Sequence, residues 1–289
     1  MLRKSVFFSF MLSMVLGTAT VWAGDVPNTT DEKPIAETIM NPPLKEGSIV
    51  GFFSRYWIPI DEKTPDGYYR KFIGMEEENF FLVQDFFTET GRKQSDPVLV
   101  SSIYDVKNSG FLKTIKGPYI TWYQNGQKQS EAFYKTIGVL DGAFQAWYSN
   151  GTSKMKGAYV NGKKSGSWSE WYESGQLKLQ ANYEKGLLNG AFSRWFENGQ
   201  QQAVGIYNKG LLNGLWIIWN SKGEKISEGE YVASKRENLW TYYTAGKKWA
   251  EGNYAANLQD GTWIYWDDKG NKLKSVLYQK GIPVGEEMF

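Results

Sequence analysis

The chain has 289 residues, 41% hydrophobic and 22% charged, with no cysteine and no histidine. Those two absences exclude a Ser-His or Cys-His nucleophile pair, an imidazole general base, and ordinary zinc, copper or Fe–S sites. Carboxylate pairs, Ser-Lys chemistry and oxygen-ligand metals stay open on composition, while 31 Gly and 13 Trp beside 9 Pro suit short strands and tight turns rather than collagen or disorder.

Arg3 and Lys4 precede an apolar run from Val6 to Val21, and Val21-Trp22-Ala23 places small or apolar residues where a signal peptidase reads. The pattern predicts a secretory signal peptide over residues 1–23, cleaved after Ala23, and so a periplasmic or secreted protein. The run is broken by Ser, Gly and Thr and is shorter than the ~20 residues of a membrane span, so no stable membrane insertion is expected after cleavage. No cysteine follows to carry a lipid. Without Arg3 and Lys4 the chain has 31 basic and 31 acidic residues. No basic stripe stands out, so nucleic acid is not an expected partner. Export permits disulfides, but none can form here, and packing and hydrogen bonds must hold the fold.

Residues 24–46 carry Pro27, Pro34, Pro42 and Pro43 among charged residues and read as a flexible leader. The run Ile49–Ile60 is apolar and aromatic and predicts a strand, as do Tyr68–Ile73, Phe80–Phe87 and Val98–Tyr104. Residues 47–116 are thus expected to form a β-rich N-terminal cap over the first edge of the sheet that follows, since a bare edge invites aggregation. The acidic runs Glu76-Glu77-Glu78 and Asp267-Asp268 read as solvated surface, as sequential carboxylates on a loop or strand usually are, and Asp267-Asp268-Lys269-Gly270-Asn271 also lacks the spaced ligands of a calcium loop.

From Gly117 the chain repeats itself. With that Gly as position zero, each unit has an aromatic at +2, an aromatic at +5, Gly at +9 and Tyr at +17. The third unit supplies Gly166, Trp168, Trp171, Gly175 and Tyr183, and the fifth Gly214, Trp216, Trp219, Gly223 and Tyr231. Units start at Gly117, Gly142, Gly166, Gly190, Gly214, Asn238 and Gly261, at intervals of 25, 24, 24, 24, 24 and 23 residues, with a truncated eighth at Gly285. The sixth is irregular: Asn238 replaces Gly, and its turn glycine, Gly246, comes one residue early.

Each unit reads as a β-hairpin. Dipeptides such as Asn125-Gly126 and Asn198-Gly199 favour a two-residue type I′ turn. That turn makes cross-strand positions sum to 17. Phe144 should then face Gly157, and Trp168 should face Ala181, with large rings covering small residues. The +5 ring falls on the opposite face by alternation. Either the sheet is aromatic on both faces or a bulge rotates one strand. Linkers such as Asn161-Gly162 and Lys185-Gly186 return the chain for the next hairpin. The expected fold is all-β: an elongated array of stacked hairpin repeats over 117–289 behind the cap, with no helix longer than two turns.

Gly166-Ser-Trp168-Ser-Glu-Trp171-Tyr172-Glu-Ser-Gly175-Gln176 shows the pattern most fully. It resembles the MORN-repeat variant of bacterial YwqK-family antitoxin proteins. The resemblance covers about 117–285. Residues 68–104, with Phe86, Phe87, Gly91 and Lys93, look like a diverged lead-in unit, with 105–116 as an insertion. It implies a protein that binds a partner rather than transforms a substrate.

Gly157-Ala-Tyr-Val-Asn-Gly162-Lys163-Lys164 comes near the phosphate-loop spacing. Its glycines belong to the repeat, no helix is expected after it, and Lys164 stands where a hydroxyl residue is required. No catalytic, cofactor or metal residues emerge. Most of the aromatic ladder reads as core, because a thin sheet needs large rings to bury area. Position +4 instead varies from unit to unit: Thr121, Ala146, Glu170, Arg194, Ile218, Tyr242, Tyr265. Recognition is expected where units differ, so Arg194, Ile218, Tyr242 and Tyr265, with Trp249 from the sixth unit, are the candidate partner-binding residues. The expected role is an exported, non-catalytic protein-binding module of antitoxin or immunity type. The alternative is a cell-envelope protein binding glycan through its aromatic rings.

Overall fold

Twenty-one strands form one open antiparallel sheet, in a computed structural model that describes residues 43–76, 80–110 and 112–289. The expected signal peptide and the expected leader up to residue 42 lie outside the described residues. The cap contributes β1 (Ile49–Phe53), β2 (Pro59–Ile60), β3 (Tyr68–Glu76), β4 (Phe80–Phe87), β5 (Val98–Val100) and α1 (Ile103–Asn108). The repeats contribute β6 (Ile115–Trp122), β7 (Lys128–Thr136), β8 (Val139–Leu140), β9 (Gly142–Trp147), β10 (Ser153–Val160), β11 (Lys163–Trp171) and β12 (Leu177–Glu184). They continue as β13 (Leu187–Trp195), β14 (Gln201–Asn208), β15 (Leu211–Trp219), β16 (Lys225–Val232) and β17 (Lys235–Thr244). The last are β18 (Lys247–Ala255), β19 (Leu258–Trp266), β20 (Lys272–Gln279) and β21 (Ile282–Met288). From β9 onward each strand pairs with the next in sequence.

In the cap, the expected single strand over 49–60 is instead a small hairpin. Ser54 breaks it: its Oγ accepts from the backbone N–H groups of Tyr56 and Ile58, and Trp57 takes a positive φ of 62°. The expected strand over Val98–Tyr104 ends at Val100, and the chain turns into α1 within the same segment. Two buried side chains hold this part. Arg70 pairs with Asp85 at 2.7 Å and donates to the carbonyls of Asp105 and Ser109. The Asp105 carboxylate accepts from the N–H groups of Lys113 and Thr114. β5 then pairs with β6 through Leu99–Lys116 and Val100–Ile115, so the cap does cover the first edge of the repeats.

The repeat register is as expected at its centre: Phe144 faces Gly157, Trp168 faces Ala181, and the position-zero glycines face the Tyr at +17. The turn is not. The +6 N–H bonds the +10 carbonyl and the +9 N–H bonds the +6 carbonyl, as in Tyr123, Gly126 and Gln127. Of the turn dipeptide only the Gly has positive φ, 91° at Gly126. This is a three-residue loop, a type I turn closed by a left-handed Gly. It moves the sum of paired positions to 16, as at Trp122–Lys128, and a bulge at +12 returns it to 17, as at Thr121–Ser130. True type I′ turns occupy the linkers, where both residues have positive φ: Asn161 48° with Gly162 74°, Lys185 50° with Gly186 87°. The sixth unit uses one inside its hairpin as well, at Ala245-Gly246, which removes one residue from that unit.

From the third unit on, a Trp at +2 covers the small residue at +15 of the preceding unit as well as facing the +15 residue of its own, Gly252 at +14 taking that place in the shortened sixth unit. Gly157 lies directly beneath Trp168 of the next unit. The Tyr at +17 stands edge-on between successive +2 rings, with Tyr159–Trp168 centroids 5.1 Å apart at 82° and Tyr207–Trp216 5.2 Å apart at 88°. Edge-to-face pairs add about 0.5–1.5 kcal/mol each beyond area burial. Trp168 and Trp263 are thereby 1% and 2% exposed in a single-layer sheet. The indole N–H of Trp168, Trp216 and Trp240 donates to the preceding unit's +16 carbonyl, and that of Trp263 to Asn253, the equivalent +15 carbonyl of the shortened sixth unit. The +5 residues lie on the second face, where Tyr243 meets Glu228 and Lys225. Both anticipated options thus hold: rings on two faces, and bulges.

Candidate functional site: the aromatic row of the last repeats

The +4 residues form one row across the sheet. Arg194 faces Ala203, Ala203 faces Ile218, Ile218 faces Ser227, Ser227 faces Tyr242, Tyr242 faces Ala250, and Ala250 faces Tyr265. Alternate strands are ~10 Å apart, so Ile218 to Tyr265 spans roughly 20 Å. The small residues between them leave the larger side chains standing clear of one another.

The +12 bulge adds a second row beside the first. In a bulge two residues oppose one, so the extra residue is left beside the +4 side chain. In the sixth unit that extra residue is Trp249, between Lys248 opposite Tyr243 and Ala250 opposite Tyr242. Its ring lies 5.8 Å from Tyr242 and 6.4 Å from Tyr265, and it is 42% exposed. Ala250 beneath is fully buried. The candidates Tyr242, Trp249 and Tyr265 therefore form one cluster. Ile218 is the next member along the row, and Arg194 the one after, without a ring contact to the cluster.

The equivalent bulge residues in the fifth and seventh units are Ile226 and Leu273, both exposed. The paired rows run from polar Glu170 with Lys178 and Arg194 with Gln202 to apolar Ile218 with Ile226, Tyr242 with Trp249 and Tyr265 with Leu273. Ile226 and Leu273 escape a reading of the sequence that pairs every position to a sum of 17 and so does not place the bulge at +12. Arg236 escapes it too. Its guanidinium sits 4.0 Å from the Tyr254 ring centroid and donates to the Tyr242 and Tyr254 hydroxyls at 3.1 and 2.9 Å. The signal was present: Arg236 stands two residues before position zero, where other units place Leu140, Leu188 and Leu212.

Burial, followed by the neighbouring phenol, raises Tyr254 and Tyr265 well above the ordinary tyrosine value. These hydroxyls therefore stay protonated, with Tyr265 and Tyr278 oxygens 3.2 Å apart. The site offers π faces, aliphatic surface and hydrogen bonds. Among the described residues no cluster of three carboxylates able to hold a metal ion occurs. Asp267 caps its own turn, accepting from Lys269 and Asn271 N–H groups.

Two repeats match the MORN repeat variant, over residues 116–136 and 164–185. These are the hairpins β6–β7 and β11–β12, and the other units share their spacing, pairing and aromatic ladder. No curated protein matches the chain. The MORN-variant hairpin accounts for the repeated positions; the +4 and bulge residues vary from unit to unit, and Tyr242 and Tyr265 also pack against the framework rings Trp240 and Trp263.

Proposed function

We propose that the chain is an exported, non-catalytic binding module that holds a protein partner along the +4 and bulge rows of its last three repeats. The observation that carries this is the exposed Trp249 between Tyr242 and Tyr265, in line with Ile218, Ile226 and Leu273. Binding hot spots favour Trp, Tyr and Arg, and Arg194 lies at the polar end of the same row. The N-terminal pattern of Arg3 and Lys4, the apolar run Val6–Val21 and Ala23 supports export. The resemblance to YwqK-family proteins supports a finer reading, neutralisation of a toxin or effector in an antitoxin- or immunity-like role.

The test is capture from envelope extract by the mature chain beside an R194A/Y242A/W249A variant. The variant should lose partner recovery, with affinity reduced at least about 30-fold, since truncating a hot-spot residue costs ~2 kcal/mol or more. Equal recovery of the same proteins by both chains rejects the row. Turnover of any substrate by the pure protein rejects a binding role as the whole function.

A further inference from the structure

A recess of about 590 Å³ lies in the cap beside the first repeat turn, away from the aromatic row. Its volume is within the ~300–1,000 Å³ usual for small-molecule sites. Its walls include Tyr56, Tyr68, Arg55, Asp66, Glu89 and Gln124. Tyr68 is held from behind: Trp57 stacks flat on it, centroids 4.1 Å apart at 6°, and Phe87 leans against it at 5.4 Å. Trp57 does so in a left-handed backbone conformation, φ 62°, which a residue of this size rarely adopts. Tyr56, 71% exposed, supplies a second ring at the wall.

The polar groups come as two planar pairs. Arg55 Nε meets Asp66 at 3.0 Å, and Gln124 Nε2 donates to Glu89 at 2.7 Å. Arg92 holds the Gln124 backbone carbonyl at 3.1 Å, which anchors the second pair to the repeat turn. Each pair sets N–H donors beside carboxylate or amide oxygens, the combination that neighbouring hydroxyl groups require. The lining carries one positive and two negative charges, so it disfavours an anion. Ring faces for C–H surface, planar donor–acceptor pairs for hydroxyls and a slightly negative wall together describe the complement of a neutral sugar ring.

We propose that this recess binds a pyranose unit of a neutral oligosaccharide. The probes are chitotetraose and maltotetraose, which separate an amino-sugar from a glucan source, with tetragalacturonate as the anionic control. Titration of the mature chain is followed by calorimetry and by tryptophan fluorescence, because Trp57 backs the wall. At least one neutral tetramer should bind saturably in the millimolar range, with tetragalacturonate at least about tenfold weaker. Y56A and E89A, both at exposed positions, should each weaken binding about tenfold, ~1.4 kcal/mol, with unchanged circular dichroism and melting. W249A should leave it unchanged. Absence of saturable binding by both neutral tetramers, equal binding by Y56A, or loss of binding in W249A overturns the proposal.

Discussion

A methyl group built on Gly205 would stand 2.1 Å from the indole of Trp216 in the next repeat. The same close approach recurs at Gly157 under Trp168, Gly229 under Trp240 and Gly252 under Trp263. Where the following ring is the smaller Phe192, the residue beneath is Ala181, and Ala132 likewise precedes Phe144 by position. None of these four glycines has positive φ. Space alone selects them, and ring size in one unit sets residue size in the unit before.

Gly205→Ala should therefore destabilise the sheet by about 1–3 kcal/mol, the usual cost of overpacking. In a Trp216→Phe background the same change should be neutral or stabilising, because it recreates the Ala181–Phe192 pair. Urea unfolding of the four proteins of this cycle checks it. Additive effects would mean that the ring and the glycine do not compete for one volume.

The fold was legible because its repeat period and ring positions are framework properties. The central register does not depend on which of two turns closes the hairpin. Asn-Gly serves both a type I′ turn and a type I turn closed by a left-handed Gly, and only the φ of the first residue separates them. The +12 bulge then restores the residue that the longer loop takes up, so both routes place Phe144 against Gly157. The site was half legible. Variation at +4 exposed Tyr242 and Tyr265, but Ile226 and Leu273 become neighbours of that row only through the bulge. The run 49–60 misled because Ser54 binds two backbone N–H groups inside an otherwise strand-like sequence.

Asn238 replaces the position-zero glycine in the sixth unit and has φ 56°. Asn tolerates this left-handed conformation better than other side chains do. Its amide also donates to Glu230 at 2.7 Å. Asn238→Ala should cost about 1 kcal/mol or more, and Asn238→Gly less. Chemical denaturation that ranks Gly below Ala at this position contradicts the conformational explanation.

Arg70 is fully buried, paired with Asp85, and its guanidinium lies 4.8 Å from the Phe53 ring centroid. Arg70→Met leaves the Asp85 charge and the Asp105 and Ser109 carbonyls without this donor. Breaking a buried pair costs about 3–5 kcal/mol. Hydrogen exchange should show β1, α1 and β5 losing protection while β12–β19 keep theirs, since each repeat packs mainly on its neighbours. Uniform loss along the whole chain would show that cap and repeats unfold together.

Burial pushes Tyr207 up to about 12, with a contribution from Tyr183 and Tyr231. Burial and then the bond to Glu228 push Tyr243 up to about 12. An unfolded tyrosine ionises near ~10. A folded value above the unfolded one stabilises fully below the unfolded pKa and is lost as pH rises through the folded pKa. The urea midpoint should therefore decline between pH ~10 and ~12, with tyrosinate absorbance rising alongside unfolding. A flat midpoint across that window would falsify the linkage.

Trp249 and Trp263 both make ring contacts with Tyr242, at 5.8 and 6.1 Å, and should respond differently to truncation. Trp263 is 2% exposed, covers Gly252, and donates its indole N–H to the Asn253 carbonyl at 2.9 Å. Trp263→Ala removes a framework ring and should cost about 3–5 kcal/mol. Trp249 is a bulge residue, 42% exposed, and its loss removes no strand pairing. Trp249→Ala should therefore cost about 1 kcal/mol or less in stability, as exposed positions generally do, while reducing partner affinity at least about 30-fold. Melting curves and binding isotherms on both variants separate the two roles. A Trp249→Ala protein that melts as early as Trp263→Ala would place Trp249 in the core and remove the exposed ring on which the proposed partner binding rests.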